Sequence, residues 1–434
     1  HPVAHSFPTR RSSDLDTYFV SRLGTAEIGA ISVAFPLYNV FGILGILAGS
    51  GTASYISRFL GAGKTGHAAA YSRGGLTWYL LLSVPVLGLC YALAPFLLPV
   101  FGSTTQIQPL AREYLKIMLP ASLIGGINIF AGSVLRGWAY PGYALTALVA
   151  GTLVNIGADP IFIFLLEQGV AGAAWASFIG QSASLLCYAL FLFRKMHIAA
   201  GKGQYRHLLV RRRVAGIGRR ILVLGAPVSA GQVFVGIIFA LAQLFAKRFG
   251  NTEGVAAAGI VLRLYAAALF VLLGFTRGVQ PLAGMAGGSK NYGELRELLT
   301  RSSIILFTFT LLITFLALFF PAHIMRIFSS DRSVDTIGIN FLHFAFAGFL
   351  PFSFQLFASG IFQALGSVRM TFFLLFFRNV ILLLPAMLIL PYFFELRGIF
   401  LSFTVADGVS LPILMVFMYR RLSSILPRGV DSNE

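Results

Sequence analysis

The residues best suited to chemistry are a carboxylate and an amide placed inside an apolar run. Asn155 and Asp159 stand four residues apart, so a helix through them carries both side chains on one face. Together they can hold one small cation. Gly157 and Pro160 flank the acid, and the other use of Asp159 is to cap or bend the helix at that proline. An Asp at mid-bilayer costs about 2.5–3.5 kcal/mol, which makes such an acid a candidate for ion handling. Desolvation favours the protonated acid and a nearby cation favours the ionised one, a pairing that suits exchange of H+ or Na+ for another solute. Asn128 is a further polar candidate in an earlier apolar run. In the second half, Arg263 and Asp407 are the charges at membrane depth and are expected to pair as structural intramembrane charges. Arg378, near a helix end, is expected to snorkel to the interface. The seven His are scattered and Cys90 and Cys187 sit in apolar runs. No Cys/His cluster, paired aspartates or nucleophile with its base is evident, which argues against a metal site, a disulfide framework or a membrane-embedded enzyme.

The elements that must position these groups are transmembrane helices. Hydrophobic residues make up 57% of the 434 and charged residues 11%, with a mean hydropathy of +0.82, values that exclude a soluble domain. A hydrocarbon core of about 30 Å needs roughly 20 apolar residues per crossing. Eleven apolar blocks meet that need, near 27–60, 68–101, 105–136, 140–166, 169–196, 217–249, 253–284, 292–328, 333–365, 367–393 and 397–419. Several exceed 30 residues and predict helices that tilt or protrude, with kinks at Pro36, Pro120, Pro227 and Pro351. The segment His5–Leu15 reads as the translation of a sequencing-library adapter. Residues 1–15 are therefore set aside, and most of a first helix is expected to be missing, with Asp16 the first authentic residue of its remnant. Without Arg10, Arg11 and Asp14 the net charge of +18 becomes about +17, so basicity belongs to the rest of the chain.

Basic residues gather in alternate loops. Nine Lys/Arg and no acid lie between Arg194 and Arg220, which the positive-inside rule assigns to the cytoplasm. Arg58, Lys64, Arg136, Lys290, Arg296, Arg301, Arg369, Arg420 and Arg421 fall on the same side, whereas Glu167, Glu253, Asp331, Asp335 and Glu395 fall opposite, together with Lys247, Arg248, Arg332 and Arg397. With a first helix restored, twelve spans leave both termini cytoplasmic. Loops flanking spans explain the charge without nucleic acid. The halves also repeat: Leu60–Lys64 matches Ala286–Lys290, Val100–Gly102 matches Ile327–Ser329, Tyr114-Leu115 matches Phe341-Leu342, and Leu135–Ala139 matches Phe362–Gly366, at an offset of 226 or 227. Even-numbered six-helix halves must be parallel repeats about an axis along the membrane normal. The expected organisation is an N-lobe over 16–197, a basic linker over 198–216, a C-lobe over 217–424 and a tail over 425–434. Two such lobes suit alternating access.

These residues carry a family resemblance. Asp16–Val20 with Leu23-Gly24-Thr25, Ile56-Ser-Arg58 with Leu60-Gly61-Ala62, Leu135-Arg136-Gly137, Asn155-x-x-x-Asp159-Pro160 with Gly172-Ala-Ala174, and Gly278-x-Gln280-Pro281-Leu282 resemble MATE (multidrug and toxic compound extrusion) transporters of the MOP type. The pattern is closer to the prokaryotic DinF-like and MepA-like branch than to the NorM-like one. The resemblance implies an all-α polytopic membrane protein of two six-helix bundles. It also implies efflux of organic, often cationic and amphipathic compounds from a prokaryotic plasma (inner) membrane, driven by H+ or Na+, with no other cofactor. Asp16 then matches the family's other acidic position in the first half, and Ser177 falls where the family often has Thr. These two join Asp159 and Asn155 as the cation-coupling set. The helix Gly225–Phe249 offers Gln232 and Gln243 but no acid before its exit charges, so the NorM-like carboxylates are not evident. Tyr38, Phe35, Met118, Phe130, Asn128 and Gln355 are candidates to line a substrate cavity, where aromatic faces and a carboxylate would hold flat cations. The protein is expected to act as a monomer. A lipid or lipid-linked oligosaccharide flippase is the alternative; it would favour Arg/Lys in the cavity for a pyrophosphate, and the first half has little such charge.

Overall fold

A computed structural model describes residues 24–199, 211–329 and 331–425. Asp16, the adapter-like segment, most of the basic linker and the end of the tail lie outside these. The described chain is helical, without strands: α1 Thr25–Gly61, α2 Thr65–Val100, α3 Ile107–Gly137, α4 Pro141–Pro160, α5 Gly169–Ala199, α6 Arg211–Phe249, α7 Thr252–Gly288, α8 Tyr292–Phe319, α9 Pro321–Phe328, α10 Arg332–Ala347, α11 Phe349–Ala364, α12 Val368–Phe376 and α13 Leu384–Ile425. In a bilayer every backbone polar group must be satisfied within its own segment, which is why apolar runs of this length become helices. Among the described residues nine helical stretches are long and apolar enough to cross, and α10 with α11, bent by 43°, makes a tenth. The stretch Val368–Pro412 is itself broken at Glu395. At 36 residues α2 is about 54 Å long, well beyond the hydrocarbon thickness.

Prolines act where they remove a donor. Pro36, Pro120 and Pro227 lie within continuous helices, whereas the break expected at Pro351 occurs at Gly348, ahead of it. Pro351 cannot donate to Ala347 and crowds that carbonyl, so it sits in the first turn of a new helix. Likewise, the 292–328 block divides at Phe320–Pro321. Three starts in the second half are capped by side chains: Asn251 Oδ1 accepts from the Gly254 N–H at 3.0 Å, Asn291 Oδ1 from Glu294 at 3.1 Å and Asp331 Oδ1 from Ser333 at 2.8 Å.

Helix ends expose the repeat in the backbone. Left-handed residues end helices at Gly63 (φ 70), Ala139 (φ 64) and Glu167 (φ 53), and again at Lys290 (φ 59), Gly366 (φ 81) and Glu395 (φ 50). The paired positions are 227, 227 and 228 residues apart. Among the described residues each half also has a π-helical stretch, Ile161–Leu165 after α4 and Phe377–Leu383 after α12. Packing divides the chain into two units, one through Leu60 plus Lys64–Ser229 and one of Gly61–Gly63 plus Ala230 onward. The change of unit falls within α6.

The first unit is built on small residues that let backbones approach. A Cβ on Gly45 of α1 would lie 2.6 Å from the carbonyl oxygen of Gly126 in α3. One on Gly151 of α4 would lie 2.6 Å from both the Gly180 carbonyl oxygen and Ser184 Cβ in α5. Gly157, by contrast, has nothing within 4 Å of such an atom. Gly151→Ala is therefore expected to cost about 1–3 kcal/mol by overpacking, while Gly157→Ala is neutral or mildly stabilising. Thermal inactivation of the two purified variants checks this; equal midpoints would mean α4 and α5 are not in backbone contact. The second unit is cored instead by aromatic side chains, among them Tyr265, Phe341, Phe349, Phe400 and Phe403, all buried.

Candidate functional site

Asp159 is completely buried, and Asn155 is buried one turn before it on α4. The local sequence explains the setting. Pro160 has no N–H for the carbonyl of Ile156, and the chain beyond it winds wider, as π-helix. The face carrying Asn155 is pressed against α5: a Cβ on Gly180 would meet Asn155 Cβ at 2.6 Å. Two hydrogen bonds fix the register of this antiparallel pair, from Ser184 Oγ to the Ala147 carbonyl at 2.7 Å and from Tyr188 Oη to Ala144 at 3.0 Å. Ser177, one turn from Gly180 on α5, is buried as well.

A third helix joins through amides. Asn128 Nδ2 on α3 donates to the Gln181 carbonyl at 2.9 Å and to Gln181 Oε1 at 2.8 Å. Asn128 Oδ1 and Asn155 Nδ2 are buried without hydrogen-bond partners among the described residues. The structure therefore brings Asn128, Asn155, Asp159 and Ser177 onto three packed helices of one unit. It adds Gln181, whose role was invisible in sequence because an amide in an apolar run has no partner until α3 is placed beside it. Asp16 lies outside the described residues. Among those described, no group of three or more His, Cys, Asp or Glu could hold a metal ion, so a cation at Asp159 would take its other ligands from neutral oxygens.

The proposed cavity residues fall in both units. Tyr38 is half-buried, edge-on to Phe35 at 5.4 Å and to Tyr114 at 6.1 Å, and Phe35 is 51% exposed. Met118 packs half-buried on the same apolar cluster. Phe130 is core, clustered with Tyr79 and Val134. Gln355 belongs to the other unit and is locked in packing: Nε2 donates to the Leu374 carbonyl at 2.6 Å, and Oε1 accepts from Ser410 Oγ at 3.1 Å.

The second unit requires a correction. Asp407 pairs with Arg378, not Arg263: Arg378 Nε lies 2.6 Å from Asp407 Oδ1, with both side chains buried. Arg378 also donates to Asn379 Oδ1 at 2.9 Å and to Tyr265 Oη at 3.2 Å, and its guanidinium lies 3.7 Å from the centre of the Phe352 ring. Nor does Arg378 snorkel. The π-helical turn that holds it aims the side chain inward, and the break at Gly348 makes room, since a Cβ there would lie 2.6 Å from Asp407 Cβ. Arg263 is exposed on the outer surface of α7. One contact fits the quoted motif around Gln280, whose Nε2 donates to Gly360 at 3.1 Å and to Gln363 Oε1 at 2.6 Å, tying α7 to α11.

Comparison with known proteins adds the following. The model of the family described as MatE matches residues 11–161 and 227–388. The multidrug export protein MepA of Staphylococcus aureus is 23% identical over 411 residues, covering 93% of this chain and 88% of that protein. Its Staphylococcus saprophyticus counterpart is 24% identical over 416 residues, with the same coverage. Among solved structures, an outward-facing multidrug resistance MATE transporter of the MOP superfamily superposes with a TM-score of 0.86 at 24% identity, covering 95% of this chain and 92% of that one. A MOP-superfamily transporter from Pyrococcus furiosus, for which reversed binding-pocket polarity suggests a different function, gives 0.84 at 24% identity, covering 96% and 92%.

Proposed function

Since this chain belongs to the MatE family, and is by that membership a multi-pass membrane transporter and not an enzyme, we propose that it exports organic, cationic or amphipathic compounds in exchange for H+ or Na+. The observation that carries this reading is the fully buried Asp159, set beside Asn155 where α4 gives way to a π-helical turn. A carboxylate there can be neutralised by a proton, by Na+ or by a cationic cargo, and it cannot serve two of them at once. Competition of that kind is sufficient to couple opposite fluxes. Asn155 and Ser177 supply neutral oxygens beside it, Asp16 would be the second acid, and the cargo enters as an organic cation. The MepA relatives, named as multidrug exporters, support the choice of cargo class.

In this reading the basic loops place both termini in the cytoplasm of a prokaryotic cell, the protein lies in the plasma membrane and it works as a monomer without a bound cofactor. The test is flux. Vesicles reconstituted with the full-length protein and loaded with a fluorescent organic cation are expected to empty faster when an opposing H+ or Na+ gradient is imposed. Efflux at the same rate with and without either gradient would end the exchange reading, and no efflux above protein-free vesicles would end the cargo reading.

A further inference from the structure

A groove of about 510 Å3 lies on the second unit between α8 and α11. Its length and chemistry are graded. The helices run antiparallel, so Arg296 stands near Leu365 at one end and Phe307 near Phe354 at the other, those two rings 6.3 Å apart. The eleven helical steps from Arg296 to Phe307 rise about 16 Å, roughly half of the ~30 Å hydrocarbon thickness. The groove is thus about one leaflet deep. Polar groups occupy only its shallow end, where Arg296 is followed by Thr300 and Ser303, and aromatic and aliphatic side chains line the rest. Arg296 is in neither ion pair found among the described residues. Its acidic neighbours are engaged elsewhere, Glu297 with Arg301 and Glu294 with Asn291.

We propose that this groove binds one glycerophospholipid with an anionic headgroup, drawn from the leaflet on the Arg296 side. The phosphate rests on the guanidinium, the glycerol region meets the Thr300 and Ser303 hydroxyls, and an acyl chain runs to the Phe307–Phe354 pair. Depth selects a lipid over a compact cargo molecule, because an amphiphile spanning one leaflet matches both the polar end and the apolar length. Charge selects an anionic lipid over a zwitterionic one. The site lies wholly within one unit and does not depend on the exchange reading.

The experiment is native mass spectrometry of the purified full-length protein in detergent, titrated with dioleoylphosphatidylglycerol or dioleoylphosphatidylcholine. The unchanged protein is expected to retain one phosphatidylglycerol in preference to phosphatidylcholine. Arg296→Gln should reduce that preference about fivefold, the factor for one basic side chain against an anionic lipid. Arg301→Gln, beyond the groove, should leave it unchanged. Ser303→Trp, which fills the groove from an accessible wall, should remove the retained lipid while the protein keeps its melting temperature in detergent. Equal retention of the two lipids by the unchanged protein would overturn the proposal. So would lipid retention by Ser303→Trp equal to that of the parent, or displacement of the lipid by a transported organic cation.

Discussion

With Asp159→Asn, gradient-driven export is expected to fall about 30-fold or more, to the rate seen without a gradient, because the amide can neither take up a proton nor neutralise a cation. That factor corresponds to about 2 kcal/mol, the low end of what loss of a buried charged partner costs. Folding should survive, since replacing a carboxylate at membrane depth by an isosteric amide removes a burial cost. The Asn128–Gln181 hydrogen bonds between α3 and α5 do not involve the acid and remain. Gradient-driven flux in Asp159→Asn equal to that of the parent, at equal protein per vesicle, would remove the acid from the coupling site and leave it as a helix-bending residue ahead of Pro160.

Arg378→Met is expected to produce the largest loss of stability. It leaves Asp407 fully buried with its ionic partner gone, a defect that typically costs about 3–5 kcal/mol. The second carboxylate oxygen, Oδ2, already lacks a hydrogen-bond partner among the described residues, so none of them compensates. Arg378→Met with Asp407→Leu should recover most of the loss, since a buried pair replaced by apolar residues of similar volume is often neutral or better. Melting curves of the two single variants and the double variant form the cycle. If each single variant instead melts with the parent but loses its dependence on H+ or Na+, the pair belongs to transport and not to architecture.

These two acids show how far the sequence carries. That Asp159 shares a helix face with Asn155 was legible because their spacing is a local fact; the π-helical turn after Pro160 was not foreseen. The helical spans among the described residues and their breaks were legible for the same reason: Gly, Pro and charge interrupt apolar runs where the chain turns. The partner of Asp407 was not. Arg263 and Arg378 each sit in an apolar run, and in a membrane helix the face toward lipid is as apolar as the face toward the core. Periodicity that would mark a buried side in water is therefore weak. Only the packing of α7, α11 and α13 distinguishes an arginine on the outside from one stacked on Phe352. Tyr38 and Phe35 meet edge-on in the first unit and Gln355 lies in the second; aromatic and amide residues in these runs serve packing as readily as binding, so their types alone do not sort the two uses.

The matched left-handed residues carry a consequence for engineering the chain. Where one half uses glycine, at Gly63 or Gly366, the other holds Lys290 or Ala139 in the same left-handed conformation. These four turns therefore accept either a glycine or a side chain at the same backbone geometry. Turn segments exchanged between the halves are expected to fit without rebuilding the helices they join.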